Sequence, residues 1–478
     1  MINHYKYFII FFVCILQSEN SVNFYHSGYT NVYAINRISD QSLIKTPFKL
    51  VNYDMGLDYK DFSFKTKIGL EHKLKTSNWW DISDSNVDYS LDIREYYVSY
   101  FPSFGEISIG KKLHAWGVVD ANSPIDVLNP IDYYYLFTDS DETKIGRESI
   151  ALDFFLPHDL KINFLFMPNH VSNNIPKNDP DFPITLPATV EDYQFLNMDN
   201  PIEYGGYIQK SFSNMDWTAY YFSGYDRNFN LYGANVFMDD WDVNSITDTI
   251  FSYRETEMIA ISNVSFINDI TLRADFAYFA TDAGDTAIES RPYSGQNEFG
   301  ELLEFNTLTA TNYFDISAKY YQYCIQLEYG LPLEIDLTTQ LFGYETIEVN
   351  GEEVDIDIPN FEISLDGKDL FYPGMGSSMA TLAKQGLIFN FTKTILDDSI
   401  EIQSTHLLDL KDQGQLHQLK LSYNLIDNLD ISFLFYKGVG NKNKYPDNPE
   451  TEMNESLLYP FNAMEDFSHI RAQLQYFF

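Results

Sequence analysis

The sequence predicts an all-β fold, namely a single transmembrane, antiparallel, up-and-down β-barrel of about eighteen strands. Three observations lead to this prediction. Many segments of about ten residues alternate apolar and polar side chains, which suits a wall with hydrocarbon outside and water inside. Tight turns and long connections alternate along the chain. The chain ends at 470–478 with one more alternating strand, in which Arg471, Gln473 and Gln475 oppose apolar residues.

The strands are predicted from alternation with a period of two, bounded by turn residues. Clear examples are 62–70, 270–278 and 419–425, where apolar residues occupy almost every second position. The predicted strands are 23–35, 46–57, 62–74, 89–101, 105–113, 147–156, 160–168, 203–213, 216–226, 254–267, 269–280, 316–329, 333–345, 385–395, 399–411, 415–425, 429–439 and 466–478. Sixteen strands is the alternative count, because 46–57 and 89–101 alternate poorly.

The lengths of the connections distinguish a membrane barrel from a soluble β-sandwich. Clusters of Gly, Pro, Asn and Asp predict tight turns near 102–105, 157–159, 213–216, 268–269, 330–332, 396–398 and 427–428. Long connections lie near 114–146, 169–202, 227–253, 281–315, 346–384 and 440–465. An outer-membrane barrel predicts this alternation, with short periplasmic turns, long extracellular loops and both termini in the periplasm. A sandwich gives no reason for it.

The N-terminus has the pattern of a secretory signal peptide. Lys6 precedes an apolar core at 7–16, which is too short for a comfortable transmembrane helix. We expect a signal peptide at 1–20 and the barrel at 21–478, in the bacterial outer membrane. Cys14 would leave with the signal, so Cys324 would have no intrachain disulfide partner.

Composition and charge also point to a membrane barrel. The chain contains 36 Tyr and 38 Phe, which suits aromatic girdles at the two membrane interfaces, although a biased codon usage would also raise the Tyr content. The net charge is -38, and many of the carboxylates fall in predicted loops. These loops are either simply solvated or bind divalent cations that bridge them to lipopolysaccharide. The Asp-x-Asp pairs at 240–242 and 355–357 are weak calcium signals without an EF-hand loop, and no other cofactor and no nucleic-acid partner is predicted.

Basic residues fall on the strands, at positions that we assign to the lumen. A basic lumen would attract anionic solutes. The predicted lumenal basic wall consists of Lys65, Lys67, Lys112, Lys161, Arg273, Lys420 and Arg471.

Two segments carry family resemblances. Gly110-Lys111-Lys112, Trp116-Gly117, Asp120 and Asn129-Pro130-Ile131-Asp132 together resemble a signature of a large, little-characterised family of proteobacterial outer-membrane barrels. Lys111-Lys112 departs from the Arg-Gln that we expect there. The resemblance implies a porin-like channel or an uptake barrel, with lipophilic or steroid-like cargo for some relatives. The ending at Leu474, Tyr476 and Phe478 resembles the signal that directs such barrels to their assembly machinery.

The connection at 114–146 is predicted either to fold into the barrel and narrow it or to stay outside against the rim. The turn at Gly117 and the restriction before a proline favour an inward fold. In the inward fold, its aspartates would face lumenal bases such as Lys65, Lys67, Lys112 and Arg471 across a polar constriction. The predicted constriction residues are Trp116, Gly117, Asp120, Asp126, Asn129, Pro130 and Asp132.

The predicted function is passive passage of small solutes through an outer-membrane channel. The alternatives are an uptake barrel for lipophilic substrates, favoured by the run 133–137, and a surface receptor or adhesin with a plugged pore. No nucleophile elbow, P-loop or metalloprotease motif is present, and the sequence predicts no enzyme. A hydrolase with a Ser, His and Asp at one rim stays open.

Overall fold

The computed structural model shows a closed barrel. It describes residues 22–74, 87–136, 143–177, 179, 181–184, 190, 194–196, 198, 201–238, 244–283, 293–296, 302–305, 307–358, 361–446 and 455–478. The predicted signal peptide therefore lies outside the described residues. No helix within these residues is long and apolar enough to cross a membrane.

The strands alternate with turns and loops along the whole chain. They are β1 Asn23–Arg37, β2 Phe48–Tyr59, β3 Phe62–Leu74, β4 Val87–Tyr100, β5 Gly105–Lys112, β6 Arg147–Leu156, β7 Leu160–Met167, β8 Glu203–Ser211, β9 Met215–Tyr225, β10 Asn230–Met238, β11 Asn244–Ser252, β12 Glu255–Ile267, β13 Ile270–Asp282, β14 Tyr293–Gln296, β15 Leu302–Phe305, β16 Thr307–Tyr313, β17 Ser317–Leu331, β18 Ile335–Asn350, β19 Glu353–Ile358, β20 Phe361–Asp366, β21 Gln385–Ile395, β22 Ile400–Asp409, β23 Gln415–Ile426, β24 Leu429–Val439 and β25 His469–Phe477.

Eighteen strands of the described chain form the barrel wall, which confirms the predicted architecture and count. They are β1–β9, β12, β13, β17, β18 and β21–β25, and each is antiparallel to the next. The barrel closes because β1 pairs with β25, with Thr30 opposite Tyr476 and Ala34 opposite Ala472. Both segments that alternate poorly, 46–57 and 89–101, are wall strands (β2 and β4).

The C-terminal strand shows how alternation divides inside from outside. Ile470, Leu474 and Tyr476 are 45–50% exposed on the outer wall, whereas Arg471 is buried on the inner one. Beyond the strand, Phe478 exchanges two backbone hydrogen bonds of 3.0 Å with Gly28. In a membrane, lipid covers the outer wall, so these apolar side chains contact hydrocarbon instead of water.

The two ends of the barrel differ in their connections. At one end the turns are tight, and they place residues such as His158, Asp159, Asn268 and Asp397 at positive φ. These hairpin turns twist in the same sense as the strands that they join. At the other end lie the long loops, as predicted.

The long loops contain structure that the sequence prediction did not include. β10, β11 and β16 form a small sheet, and β14–β15 and β19–β20 form separate hairpins. The described parts of the loops also contain the short α-helices α1 Tyr133–Leu136 and α2 Pro460–Asp466, and 3₁₀ turns at Gly367–Leu370, Ser378–Thr381 and Glu455–Leu458. Several of these elements are too short to show a clear period in the sequence.

Apolar side chains fill part of the lumen near the long-loop end. Wall residues that point inward, such as Tyr33, Leu407 and Tyr436, pack in one buried cluster with the loop residues Tyr133 and Phe461. The loops therefore pack against the inner wall as a core packs in a soluble protein. This core positions the segment that follows β5.

Candidate functional site: the lumen and its inward-folded loop

The connection between β5 and β6, described over 113–136 and 143–146, enters the lumen and reaches the far wall. Asp275 of β13 accepts hydrogen bonds from the backbone N–H groups of Val118 (3.0 Å) and Val119 (3.2 Å). The hydroxyl of Ser123 donates to the same carboxylate at 2.6 Å. Asp275 is 1% exposed, so its charge is stabilised almost entirely by these donors. The carboxylate is thus a latch for the loop.

Gly117 makes the approach to this latch possible. Its φ is +83°, a conformation that side chains disfavour, and a Cβ would lie 1.9 Å from Ser123 Oγ. Beside it, Trp116 is buried and its ring contacts the inward-facing rings of Tyr207 and Tyr220. The dipeptide therefore turns the chain and anchors it to β8 and β9.

The next residues of the loop bind to β17 and β18. Gln326 Oε1 accepts from the backbone N–H of Asp120 at 2.9 Å, and Gln326 Nε2 donates to the carboxylate of Asp120 at 2.6 Å. Gln340 donates to the carbonyl of Asp120 at 2.8 Å. The Asp120 side chain is 63% exposed and lies 3.9 Å from Arg273. Of the predicted constriction residues, Asp120 is therefore placed to meet a solute.

Asn129 closes the loop onto itself. Its Oδ1 accepts from the backbone N–H of His114 at 3.0 Å, and its Nδ2 donates to the His114 carbonyl at 2.5 Å. The His114 ring contacts Ser149 Oγ through Nε2 at 2.7 Å. Burial, with the neighbouring cations, lowers the pKa of His114 to about 3, so the ring is neutral near pH 7 and shares one hydrogen bond with the Ser149 hydroxyl.

The second half of the loop is fixed to the opposite wall. Asp132 is buried and pairs with Arg94 of β4 at 3.1 Å. The hydroxyl of Tyr135 in α1 donates to Glu71 of β3 at 2.7 Å. The carbonyl of Pro130 accepts from the backbone N–H of Ile145 at 2.9 Å, which joins the middle of the loop to its C-terminal end.

The expected partners were wrong for two of the three aspartates. Asp120 approaches Arg273 of the predicted basic wall, whereas Asp126 pairs with Lys144 and Asp132 pairs with Arg94, neither of which belongs to that wall. The register of β3 with β4 shifts so that Arg94 has no opposite residue, which is a β-bulge. A bulge changes the side to which the following residues point, and strict alternation cannot predict it.

A third attachment uses buried charges at the start of β6 and β8. Glu203 accepts from Arg227 through both of its oxygens, at 2.8 and 3.0 Å, and from Arg147 at 2.8 Å. Arg227 also donates to the carbonyl of Val127 in the inward loop at 2.8 Å. His170 Nδ1 lies 3.0 Å from Glu203, and burial lowers the pKa of His170 to about 4. This network joins the loop to the wall through a bidentate arginine.

A polar vestibule of about 550 Å³ occupies the lumen on the side of β1–β3 and β22–β25. The register places Arg471 and Lys420 in one transverse row, because both pair with Leu434 of β24. Glu401 and Asp430 lie closer to the tight-turn end. The lining includes Lys49, Lys67, Lys420, Arg471, Asp54, Asp398, Glu401, Asp430, Asn31, Asn52, Ser422, Ser432, Gln473, Gln475, Tyr29, Tyr33 and Tyr135. Lys49, which is buried, lies with its Nζ 5.5 Å from the centre of the Tyr135 ring, so a vestibule cation adjoins α1.

All seven residues of the predicted basic wall lie on inward-facing strand positions, but they are in different environments. Lys112, Lys161 and Arg273 form ion pairs with Glu106 (2.9 Å), Asp153 (3.1 Å) and Glu328 (2.7 Å). Lys67, Lys420 and Arg471 line the vestibule. Lys65 is exposed on the inner face of β3, next to Lys67 in the alternating series. The surface available to a solute is therefore smaller than the sequence suggested.

Sequence reasoning missed several residues that hold the loop. Asp275 stands on the polar face of its predicted strand, so its inward direction could be predicted but its partners could not. Arg94 belongs to a segment that alternates poorly, so its direction could not be predicted. Glu203 and Arg227 border a long connection, and nothing in their local sequence marks them as a pair.

Metal binding by the acidic loops stays a prediction. Within the described residues, no group of three or more His, Cys, Asp or Glu side chains could hold a metal ion. The pair at 240–242 lies outside the described residues.

Comparison with known proteins finds similarity among solved structures. No family model matches the chain, and no curated protein does. The outer membrane channel DcaP of Acinetobacter baumannii is similar over 96% of this chain and 99% of its own, at 10% identity and a TM-score of 0.38. Pseudomonas aeruginosa OccK8 (OprE) is similar over 95% of this chain and 98% of its own, at 10% identity and a TM-score of 0.45. OpdK of the same organism is similar over 95% of this chain and 99% of its own, at 8% identity and a TM-score of 0.45.

The strand register, rather than these similarities, establishes the architecture. A closed antiparallel barrel leaves no unpaired strand edge, and its outer wall exposes apolar side chains around the charged lumen. The chain is a bacterial outer-membrane β-barrel. Its lumen is the candidate functional site.

Proposed function

We propose that the protein is a porin-like channel for the passive passage of small solutes across the outer membrane. The observation that carries the proposal is the polar vestibule beneath an inward-folded loop. A closed barrel of eighteen strands is wide enough to enclose both. No energy source is needed, because solutes move down their own gradients.

Selectivity would be set where the loop meets the vestibule. The row of Arg471 and Lys420 lines the vestibule together with Tyr135, and the exposed carboxylate of Asp120 lies near Arg273. Charged groups that line a pore select ions by sign. We infer a preference for small anionic solutes at the inner end of the vestibule.

The predicted partners are part of the same proposal. The outward row of Leu474, Tyr476 and Phe478 supports recognition by the outer-membrane barrel assembly machinery. Acidic loops at one end of the barrel support contact with lipopolysaccharide through divalent cations. Membership of the little-characterised barrel family that segment 110–132 resembles also belongs to the proposal, as does the absence of enzymatic activity.

A lipophilic-substrate uptake barrel is the second candidate. The observation that favours it is the apolar cluster inside the lumen, to which Tyr133 and the partly buried Tyr134 and Leu136 contribute. Such a cluster could accept an apolar solute if the loops separate. The polar vestibule below the cluster favours the channel.

Planar-bilayer recording of the refolded protein tests the two candidates. The channel predicts steady ohmic steps with a reversal potential that shows anion preference in a salt gradient. Electrical silence, together with lipid that copurifies at one equivalent, would favour the uptake barrel. Equal permeability to anions and cations would reject the proposed anion preference but not the proposed channel function.

A further inference from the structure

Two histidines face each other on the outer wall of the barrel. His406 of β22 and His417 of β23 are direct partners in the antiparallel register. Their neighbours Leu407 and Leu416 are buried inside the lumen, so both imidazoles point outward. The two Nδ1 atoms are 2.8 Å apart, and the ring centroids are 5.1 Å apart.

The other nitrogen of each ring already has an oxygen partner. His406 Nε2 lies 3.0 Å from Ser404 Oγ, and His417 Nε2 lies 3.0 Å from Gln415 Oε1. The amide oxygen of Gln415 can only accept, so it holds a proton on His417 Nε2 and leaves the lone pair at His417 Nδ1. The Ser404 hydroxyl can accept from His406 Nε2, and in that tautomer the two Nδ1 lone pairs face each other across 2.8 Å, where a metal ion can replace the hydrogen bond between the rings.

The spacing of these nitrogens suits a transition metal. Metal–nitrogen bonds of about 2.0–2.1 Å place two ligand nitrogens about 3 Å apart in a tetrahedral or square-planar site. Imidazole is a ligand for copper, nickel and zinc, whereas calcium and magnesium prefer oxygen. We propose that His406 and His417 form a chelating site for a divalent transition-metal ion on the outer wall of the barrel.

The site lies at the outer border of the apolar band. On the long-loop side lies Gln415, which pairs with Leu408, and Lys437 is level with His417 as its register partner. On the tight-turn side, Leu419 and Phe435 are 50% and 43% exposed to lipid. An ion from the water phase can therefore reach the pair. Its remaining coordination positions point away from the barrel, toward water or an oxygen ligand of a neighbouring molecule.

Copper(II) binding to the untagged, detergent-solubilised protein tests the proposal. We expect one tightly bound equivalent whose electron paramagnetic resonance spectrum shows coupling to two nitrogens. His406→Gln and His417→Gln should each weaken binding at least about tenfold and remove one nitrogen. His158→Gln, in an exposed turn, is the matched control and should change neither.

Gln415→Ala separates the metal site from a simple hydrogen-bonded pair. This variant keeps both imidazole ligands but removes the hydrogen-bond acceptor at His417 Nε2. We therefore expect roughly tenfold weaker copper binding, with coupling to two nitrogens still present in the resonance spectrum. The heat-dependent shift in electrophoretic mobility shows that each variant is folded. Wild-type protein that binds no copper, or binds it equally well in folded His406→Gln, would overturn the proposal.

Discussion

The two sides of the lumen hold their charges in different ways. On the side of β6, β8 and β13, Arg147, Glu203 and Asp275 are at most 1% exposed and have short hydrogen bonds to side chains or to the loop. On the vestibule side, Lys420 and Glu401 are only partly buried and line a cavity. One set of charges holds the loop in place, and the other faces the solute.

The reason for the difference is the cost of removing a charge from water. A buried carboxylate such as Asp275 is stable only where donors surround it, and the loop supplies these donors. A charge in a water-filled vestibule needs no such partner and acts on passing ions through its field. Variants on the first side should change structure, and variants on the second should change selectivity.

Gly117→Ala should have the largest effect. The new Cβ would lie 1.9 Å from Ser123 Oγ and 2.7 Å from Asp275, at a backbone φ that alanine disfavours. We expect the loop to leave the far wall and the single-channel conductance to rise. Gly330→Ala is the control, because a Cβ at that position would have no atom within 4 Å. Unchanged conductance in Gly117→Ala would contradict the inward latch.

Asp275→Asn should have the second-largest effect. The amide keeps the shape but loses the charge, and its NH₂ group cannot accept from Val118 or Val119. Hydrogen bonds to a charged group contribute about 1.5–3 kcal/mol each, so docking of the loop should weaken on the order of 3 kcal/mol. Faster limited proteolysis within 117–123 and increased open-channel noise would show the weaker docking of the loop. Asp336→Asn, on the inner face of β18, should behave as wild type.

Acidification should weaken the loop by a smaller amount. The pKa of His114 is about 3 in the folded protein against an ordinary 6.5, so the released loop binds more protons between these values. Docking stability is therefore complete above pH 6.5 and is lost as the pH falls, by about 2 kcal/mol at pH 5.

Hydrogen exchange of 113–132 between pH 7 and pH 5, corrected for intrinsic rates, measures this loss. His114→Gln should remove the part of the pH dependence that His114 contributes, and His170, whose pKa is also lowered, to about 4, should account for a comparable remainder. A pH profile that is identical in His114→Gln and wild type would show that another group controls docking.

Lys420→Gln should have the smallest effect, and only on selectivity. It removes one vestibule cation without touching the loop, so the ratio of anion to cation permeability should fall roughly twofold. Thermal stability should not change. Lys437→Gln, on the outer face of the adjacent strand, should leave the reversal potential unaltered. A shift in Lys437→Gln as large as in Lys420→Gln would place the charge effect outside the lumen.

Local sequence patterns specify the barrel wall. Alternation along segments such as 62–70 and 419–425 establishes which side chains meet lipid, and turn residues establish where each hairpin ends. These are properties of neighbouring residues, so the eighteen wall strands and the two kinds of connection could be predicted without knowledge of the folded chain.

The filling of the lumen depends instead on contacts between distant residues. Asp275 is 157 residues from Val118, whose amide it binds, and a bulge at Arg94 turns that side chain toward Asp132. The pairing of His406 with His417 likewise depends on the register of two strands. Such contacts arise from the closure of the barrel and from packing inside it, and no periodicity in the chain encodes them.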